Sequence, residues 1–141
     1  MNVSQLASRA GTTSDTVRHY TELGLLTPSR NPDNGYRQYG SHDLSRLRFA
    51  LQARSLGFTL HDIAALLAES DAGNSPCGRT RALIEQRLAE VEARISELRQ
   101  LSERMRSAMQ QWASKPDCAP GEGGVCNLIT SWEEGADHEQ A

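Results

Sequence analysis

The feature that most constrains the fold is a pair of short helices predicted at the start of the chain, separated by a glycine. Residues 3–10 have the spacing of an amphipathic helix, which Gly11 is expected to end. Thr12 and Asp15 resemble a capping box, which opens a second helix over residues 14–23. Glycine tolerates the positive φ that a tight turn between two helices requires. The segment therefore predicts a helix-turn-helix.

A hairpin is predicted after this pair of helices. Asn34-Gly35 is a strong signal for a tight turn between two strands. Residues 36–39 then place a basic residue between aromatic ones, as expected of a strand that lies against a phosphate backbone. A helix-turn-helix followed by such a hairpin is the layout of a winged helix-turn-helix. The order and spacing predict double-stranded DNA as the ligand.

The second helix and the wing supply the candidate DNA contacts. Arg18 can donate to a guanine or a phosphate, and the hydroxyl of Tyr20 can reach a phosphate unless Tyr20 belongs to the core. The wing tyrosines, Tyr36 and Tyr39, divide between packing inside the protein and contact with the DNA backbone, because alternate residues of a strand face opposite ways. For His19 and Arg54, a solvated surface role is the alternative. The predicted DNA-binding residues are Thr16, Arg18, His19, Tyr20, Arg30, Tyr36, Arg37, Tyr39 and Arg54.

The charge is distributed unevenly along the chain. The formal net charge is −3, yet residues 1–56 hold seven arginines and four acidic residues, a net charge of +3. Residues 57–141 carry the remaining −6. The basic half can therefore meet phosphate while the acidic half stays away from the DNA. Fourteen of the fifteen basic residues are arginines, whose forked guanidinium suits phosphate and guanine.

A long helix with a heptad seam is predicted in the second half of the chain. Its apolar residues recur at alternating steps of four and three, with charged residues on both flanks. The seam residues are Ile84, Leu88, Val91, Ile95, Leu98, Met105, Met109 and Trp112. A lone helix ~50 Å long with an exposed apolar seam is unstable, so a second copy of the chain is expected to cover it.

The predicted fold is mainly α-helical, with one domain and an appendage, since 141 residues are too few for two independent cores. Helices over residues 41–56 and 59–67, the second with a capping box at Thr59 and Asp62, complete the first domain. A short last helix is expected over residues 127–134. The predicted segments are a winged helix-turn-helix domain at 1–70, a linker at 71–78, a dimerisation helix at 79–113, an effector loop and short helix at 114–134, and a disordered tail at 135–141.

Four motifs together resemble the signature of MerR-type transcriptional regulators. They are Thr16-Val17-Arg18-His19-Tyr20, Glu22-Leu23-Gly24-Leu25-Leu26, Asn34-Gly35-Tyr36-Arg37-Gln38-Tyr39 and Leu56-Gly57-Phe58-Thr59-Leu60. The resemblance implies a homodimer joined by an antiparallel coiled coil, promoter DNA as its ligand and RNA polymerase as a partner. It also implies a regulator that represses without inducer, and that activates by bending and untwisting the DNA when inducer binds.

The cysteines Cys77, Cys118 and Cys126 form the second candidate site. Thiolates favour thiophilic cations, and the last two bracket a loop rich in proline and glycine. Metal-sensing MerR-type regulators resemble this arrangement, with Cys77 from one protomer and the other two from its partner. A third thiolate is associated there with divalent ions, which implies Zn, Cd, Pb or Hg as inducer and control of resistance or efflux genes. The alternatives are a monovalent ion (Cu, Ag or Au), a redox or thiol signal, an organic ligand, and cysteines with a structural role.

Little in the sequence supports an enzyme. We find no glycine-rich phosphate loop, and no serine, histidine and aspartate in the order and strand context of a hydrolase. The start lacks the pattern of a signal peptide, and no apolar run approaches the length of a membrane span. Three cysteines in such a chain predict reduced thiols, so we expect a cytoplasmic protein without membrane contact.

Overall fold

The computed structural model describes residues 1–119 and 125–134. In chain order the elements are α1 (Val3–Ala10), α2 (Ser14–Glu22), β1 (Ser29–Arg30), β2 (Arg37–Gln38), α3 (Ser41–Ser55), α4 (Leu60–Asp71), α5 (Cys77–Trp112) and α6 (Asn127–Thr130). The mainly helical prediction is confirmed. The predicted tail at 135–141 and the centre of the predicted effector loop, 120–124, lie outside the described residues. The chain divides into two units, Met1–Leu88 and Ala89–Ala141.

Caps set the turn between α1 and α2. Asn2 caps α1, and Gly11 ends it in the left-handed conformation with a φ of 73°. The expected role of Gly11 is thereby confirmed, since a side chain in that conformation would be strained. The cap of α2 is Thr13, whose Oγ1 accepts from the N–H of Thr16. The prediction of Thr12 as this cap is wrong by one residue, because two threonines precede the helix and the cap spacing is met from the second.

The wing consists of β1, β2 and the loop over residues 31–36. The two strands pair antiparallel, with Arg30 opposite Arg37. Gly35 has a φ of 72°, as the predicted turn requires, but this turn lies inside a longer loop. Two backbone bonds close the loop at 2.8 Å each, from the N–H of Asn31 to the carbonyl of Tyr36 and from the N–H of Gly35 to the carbonyl of Asn31.

A hydrophobic core is formed by the four helices α1, α2, α3 and α4 together with the end of the wing. Its fully buried members are Leu6, Val17, Leu47, Ile63 and Leu66. The capping box at the start of α4 is confirmed, with Thr59 as the cap. The buried carboxylate of Asp43 accepts hydrogen bonds from the N–H of Gly40 and from the N–H of Thr27. These bonds fix the start of α3 against the loop before the wing.

The long helix α5 begins at Cys77, earlier than the predicted start at residue 79. The carbonyl of Pro76 accepts its first helical hydrogen bond, from the N–H of Thr80 at 2.9 Å. A proline favours a helix start, because its φ is preset and its missing N–H would have no helical partner there. Since α4 also extends to Asp71, the linker is shorter than predicted at both ends. Cys77 therefore lies on the first turn of α5 and not before it.

The apolar residues of α5 have two different environments. Leu83 and Ile84 are half-buried and pack against the core of the first unit, so Ile84 does not belong to the exposed seam as predicted. Further along, Leu88, Ile95 and Met109 are exposed, together with the other apolar seam residues that precede Trp112. Among the described residues no helix is long and apolar enough to cross a membrane.

Candidate nucleic-acid interface and cysteine sites

The outer face of α2 is polar because its apolar residues turn into the core. Val17 and Tyr20 are buried, while Arg18 and His19 are exposed. Nη1 of Arg18 lies 3.0 Å from Oδ1 of Asp15, one turn earlier, and both side chains are largely accessible. The N-terminal residues of a recognition helix are those that reach base edges in a major groove. This end of α2 therefore presents a guanidinium and a carboxylate together.

Side chains of the wing loop hold its backbone in place. The Oδ1 of Asn31 accepts from the N–H of Asp33 at 2.8 Å, and the Oδ1 of Asn34 accepts from the N–H of Tyr36 at 3.0 Å. Nη1 of Arg30 donates to a loop carbonyl at 2.9 Å. These turns leave the ring of Tyr36 projecting outward, with 72% of its surface accessible. The loop thus has a defined shape and an aromatic residue at its surface.

A cleft of about 840 Å³ lies between the start of α1, the outer face of α2 and the wing. Arg18, Arg30 and Arg37 line it together with Tyr36, and none of the described residues that line it is acidic. Three guanidiniums on one concave surface attract phosphate and can form bidentate contacts with it. Of the predicted DNA-binding residues, the structure brings these four together. The arrangement suits a nucleic-acid backbone running between α2 and the wing.

Two of the predicted DNA-binding tyrosines lie in the core. Tyr20 is 6% accessible and Tyr39 is 3% accessible, so packing, the alternative stated for both, is what the structure shows. The hydroxyl of Tyr39 lies 2.7 Å from Oγ1 of Thr21, which itself donates to the carbonyl of Val17. Since Thr21 has one hydroxyl proton, the phenol donates in this pair. Tyr39 therefore ties the wing to α2 and uses its hydroxyl inside the protein.

The remaining predicted DNA-binding residues differ in their exposure and in their contacts within the protein. Thr16 is half-buried, and its hydroxyl lies 2.9 Å from that of Thr13 in the cap of α2. His19 is exposed. Arg54 is exposed and its Nη1 makes one long contact, 3.5 Å to the carbonyl of Phe58, at the turn into α4. DNA contact by these residues stays a prediction.

An ion pair that sequence reasoning missed connects α4 to α5 within the first unit. The carboxylate of Asp62 is 3% accessible and meets the guanidinium of Arg87 at two atoms, Nε at 3.0 Å and Nη2 at 3.3 Å. Burial raises the pKa of Asp62, but hydrogen bonding to Thr59 and the charge of Arg87 outweigh it, so the pKa lies below its ordinary value. The capping box predicted Asp62, whereas nothing in the heptad pattern distinguished Arg87.

Cys77 is exposed and belongs to the first unit. It occupies the first turn of α5, and its N–H lies 3.4 Å from Oγ of Ser75. Its thiol is free. A thiol on the first turn of a rigid helix has a defined position, which a thiol in a linker would lack.

Cys118 and Cys126 belong to the second unit, where α6 folds back onto the end of α5. Nε1 of Trp112 donates to the carbonyl of Leu128 at 2.7 Å, and the amide of Gln111 donates to the carbonyl of Glu133 at 2.8 Å. Cys126 occupies the N-cap position of α6, without a capping hydrogen bond from its side chain. Cys118 lines a cavity of about 570 Å³ against α6. Both thiols are free and half-buried, and the docking of α6 locates them at the end of α5.

The three cysteines supply the kind of donor that the expected thiophilic ion prefers. Three free thiols are suitable soft ligands. Within the described residues of one chain, however, no group of three or more cysteine, histidine or carboxylate side chains is arranged to hold a metal ion. The chemistry of the ligands therefore fits, while a complete three-ligand site is not formed by the described part of a single chain.

Family models and one relative describe the chain over most of its length. The model of the MerR HTH family regulatory proteins matches residues 1–70, and a model described as MerR, DNA binding, matches residues 44–108. A probable heavy metal-dependent transcriptional regulator of Haemophilus influenzae is 35% identical over 129 residues, which make up 92% of this chain and 96% of the relative.

Two solved structures are similar to the fold. The transcription regulator PbrR691 from Ralstonia metallidurans CH34, in complex with lead(II), has a TM-score of 0.73 and 27% identity and covers 93% of this chain and 98% of its own. EcmrR, in the EcmrR-DNA complex within EcmrR-RPo, has a TM-score of 0.63 and 28% identity and covers 82% of this chain and 40% of its own. The similarity thus extends well beyond the helix-turn-helix.

Proposed function

Because the chain belongs to the MerR family, whose members bind DNA and regulate transcription, we propose that it is a homodimeric, metal-responsive regulator of promoter DNA. It represses without inducer. When a thiophilic divalent ion (Zn, Cd, Pb or Hg) binds, it activates resistance or efflux genes by distorting the promoter for RNA polymerase. A cytoplasmic location is part of the same proposal.

The observation that carries the DNA-binding part is the cleft lined by Arg18, Arg30 and Arg37. In the proposal α2 enters the major groove and the wing follows the phosphate backbone. His19 and Arg54, which are exposed, are further contacts in the proposal. The relative EcmrR, solved in an EcmrR-DNA complex within EcmrR-RPo, supports promoter DNA and RNA polymerase as partners.

The exposed seam of α5 supports the dimer. Leu88, Val91, Ile95 and Leu98 are each between 42% and 56% accessible, although they are large apolar side chains on one helix. An antiparallel partner helix covers them in the proposal, which also sets the distance between the two half-sites of a near-palindromic operator. In such a pair the start of one α5 meets the end of the other.

That geometry makes the metal site one shared between protomers, with Cys77 from one chain and Cys118 and Cys126 from its partner. The similarity to the heavy metal-dependent relative and to the lead(II) complex of PbrR691 supports a metal as inducer. Three thiolates and a dication leave a net charge of −1, whereas a monovalent ion would leave −2. The site therefore favours a soft divalent ion. Because the thiols must lose their protons, metal affinity falls as the pH is lowered.

Induction requires the metal to bind one conformer of the dimer more tightly than the other, since equal affinity for both shifts no equilibrium. The buried ion pair between Asp62 and Arg87 connects α5 to α4, so a movement of α5 is passed on to α4 in the proposal. Through this pair, in the proposal, a metal held at the start of α5 changes the orientation of the DNA-binding surface.

Metal titration of the reduced protein, with reporter induction followed in parallel, tests the proposal. Wild type is compared with Cys77→Ser, Cys118→Ser and Cys126→Ser, and all three variants are expected to lose the response to divalent ions. Normal induction in Cys77→Ser would instead favour a two-thiol site for a monovalent ion. Indifference of wild type and variants to every metal would contradict a metal inducer and favour an organic or redox signal.

A further inference from the structure

A carboxylate stands on the part of α2 that the proposed interface directs at DNA. Asp15 is 95% accessible, and its Oδ1 lies 3.0 Å from Nη1 of Arg18. A negative charge at this place repels phosphate, so it does not help a surface whose task is only to bind the backbone. An acidic residue in the first turn also favours helix formation, but that effect needs no arginine partner. At i,i+3 spacing the pair with Arg18 itself stabilises the helix slightly, and it also brings the carboxylate against a guanidinium that lines the cleft.

The geometry of the pair leaves Arg18 able to read a base. A guanidinium has five N–H donors in a planar fork, and Oδ1 of Asp15 takes one of those on Nη1. Four donors remain, which is more than a bidentate contact to O6 and N7 of guanine needs. Held from one side by the carboxylate, the guanidinium loses rotamer freedom before it meets DNA. A free arginine at the same position would bind phosphate as readily as guanine.

We propose that Asp15 is a specificity-determining residue, which positions Arg18 to read one guanine in each half-site. The inference rests on the proposed DNA interface and adds to it the residue that converts a phosphate-binding arginine into a base-reading one. Asp15 also disfavours the contact of Arg18 with a phosphate, since the phosphate would lie close to the carboxylate. The pair therefore trades some general affinity for sequence preference.

The experiment begins with selection of preferred sequences by the full-length wild-type protein from a pool of random DNA duplexes. Affinities are then measured for the selected duplex and for each single base-pair change within a half-site. The variants are Asp15→Asn, which keeps the shape and removes the charge, and Asp15→Glu, which keeps the charge. Glu22→Gln is the matched control, because Glu22 is an exposed carboxylate at the other end of the same helix.

Asp15→Asn is expected to lower the preference for one G·C pair by about tenfold, while binding to unrelated duplexes becomes tighter. Asp15→Glu retains most of the preference, and Glu22→Gln changes all duplexes by a common factor. Thermal unfolding of each variant checks that α2 is intact, and a loss of stability alone would not change relative base preferences.

The inference is overturned if Asp15→Asn, like Glu22→Gln, changes the affinity for every duplex by one common factor. Asp15 would then act only through its charge. If the wild type itself selects no preferred sequence, the proposed interface fails, and the inference fails with it. The two failures are distinguished by the wild-type selection, which is complete before any variant is measured.

Discussion

Arg37 lies in β2 opposite Arg30 and lines the cleft beside the wing. If its guanidinium meets a phosphate, Arg37→Ala weakens binding to all duplexes by a similar factor. The slope of log K against log salt concentration should fall by about 1 for each Arg37 that contacts DNA. Fluorescence anisotropy at several salt concentrations measures both effects. Arg94→Ala, which removes the same charge from a surface pair on α5, is the control, and an identical response of the two variants would contradict a contact by the wing.

Asp62 predicts a specific dependence of stability on pH. Its pKa is lowered in the folded state, mainly by Thr59 and Arg87 acting against burial. The stabilisation is therefore complete above the unfolded value of about 3.9 and is lost as the pH falls through the lower folded value. We expect Asp62→Asn to reduce the free energy of unfolding at neutral pH by about 2–3 kcal/mol and to flatten its decline in acid.

Urea unfolding followed by circular dichroism between pH 3 and pH 7 measures this. Glu97→Gln breaks an exposed pair with Arg94 and should change stability by no more than ~0.5 kcal/mol. Equal effects of the two substitutions would show that the buried pair adds nothing beyond a surface one.

At the scale of elements, local signals predicted the helices and packing decided their details. Gly11 and the pair of Thr59 and Asp62 act through neighbours in sequence, so their roles were readable from the chain. The roles of Tyr39 and Ile84 depend on contacts with residues that are distant in sequence. Tyr39 contacts Thr21, and Ile84 packs against the core of the first unit. Residues at strand or heptad spacing do not carry that information, because the same pattern suits an exposed interface and an internal contact.

The exposed seam of α5 is the element that the proposed dimer uses. Leu98 is 48% accessible in the single chain, so a charge there costs little without a partner and much when a partner helix covers it. We expect Leu98→Glu to be monomeric at micromolar concentration, while the wild type is dimeric. Gln100→Glu adds the same charge at another exposed position of the helix and should leave the dimer intact. Sedimentation velocity decides between these outcomes, and a monomeric wild type would contradict the architecture.

At the scale of the whole molecule, the proposed response needs two chains. The thiols lie on different units, Cys77 on the first and Cys118 and Cys126 on the second. The described part of one chain does not arrange three metal ligands together. The chemistry of the thiols predicted them as candidate ligands, and the heptad seam predicted a second chain, whereas the alignment of the two chains that would unite the thiols depends on contacts between them and not on any local signal. A shared site would also make metal binding and dimerisation stabilise each other.

Metal binding by mixed dimers tests the shared site most directly. One protomer carries Cys77→Ser, and the other carries Cys118→Ser together with Cys126→Ser, so neither chain retains all three thiols. Lead(II) titration of the reduced protein, followed by thiolate-to-metal absorption, counts the sites. We predict two sites in the wild-type dimer, one in the mixed dimer and none in either variant homodimer. No binding by the mixed dimer, with the wild type still binding, would contradict a site shared between protomers.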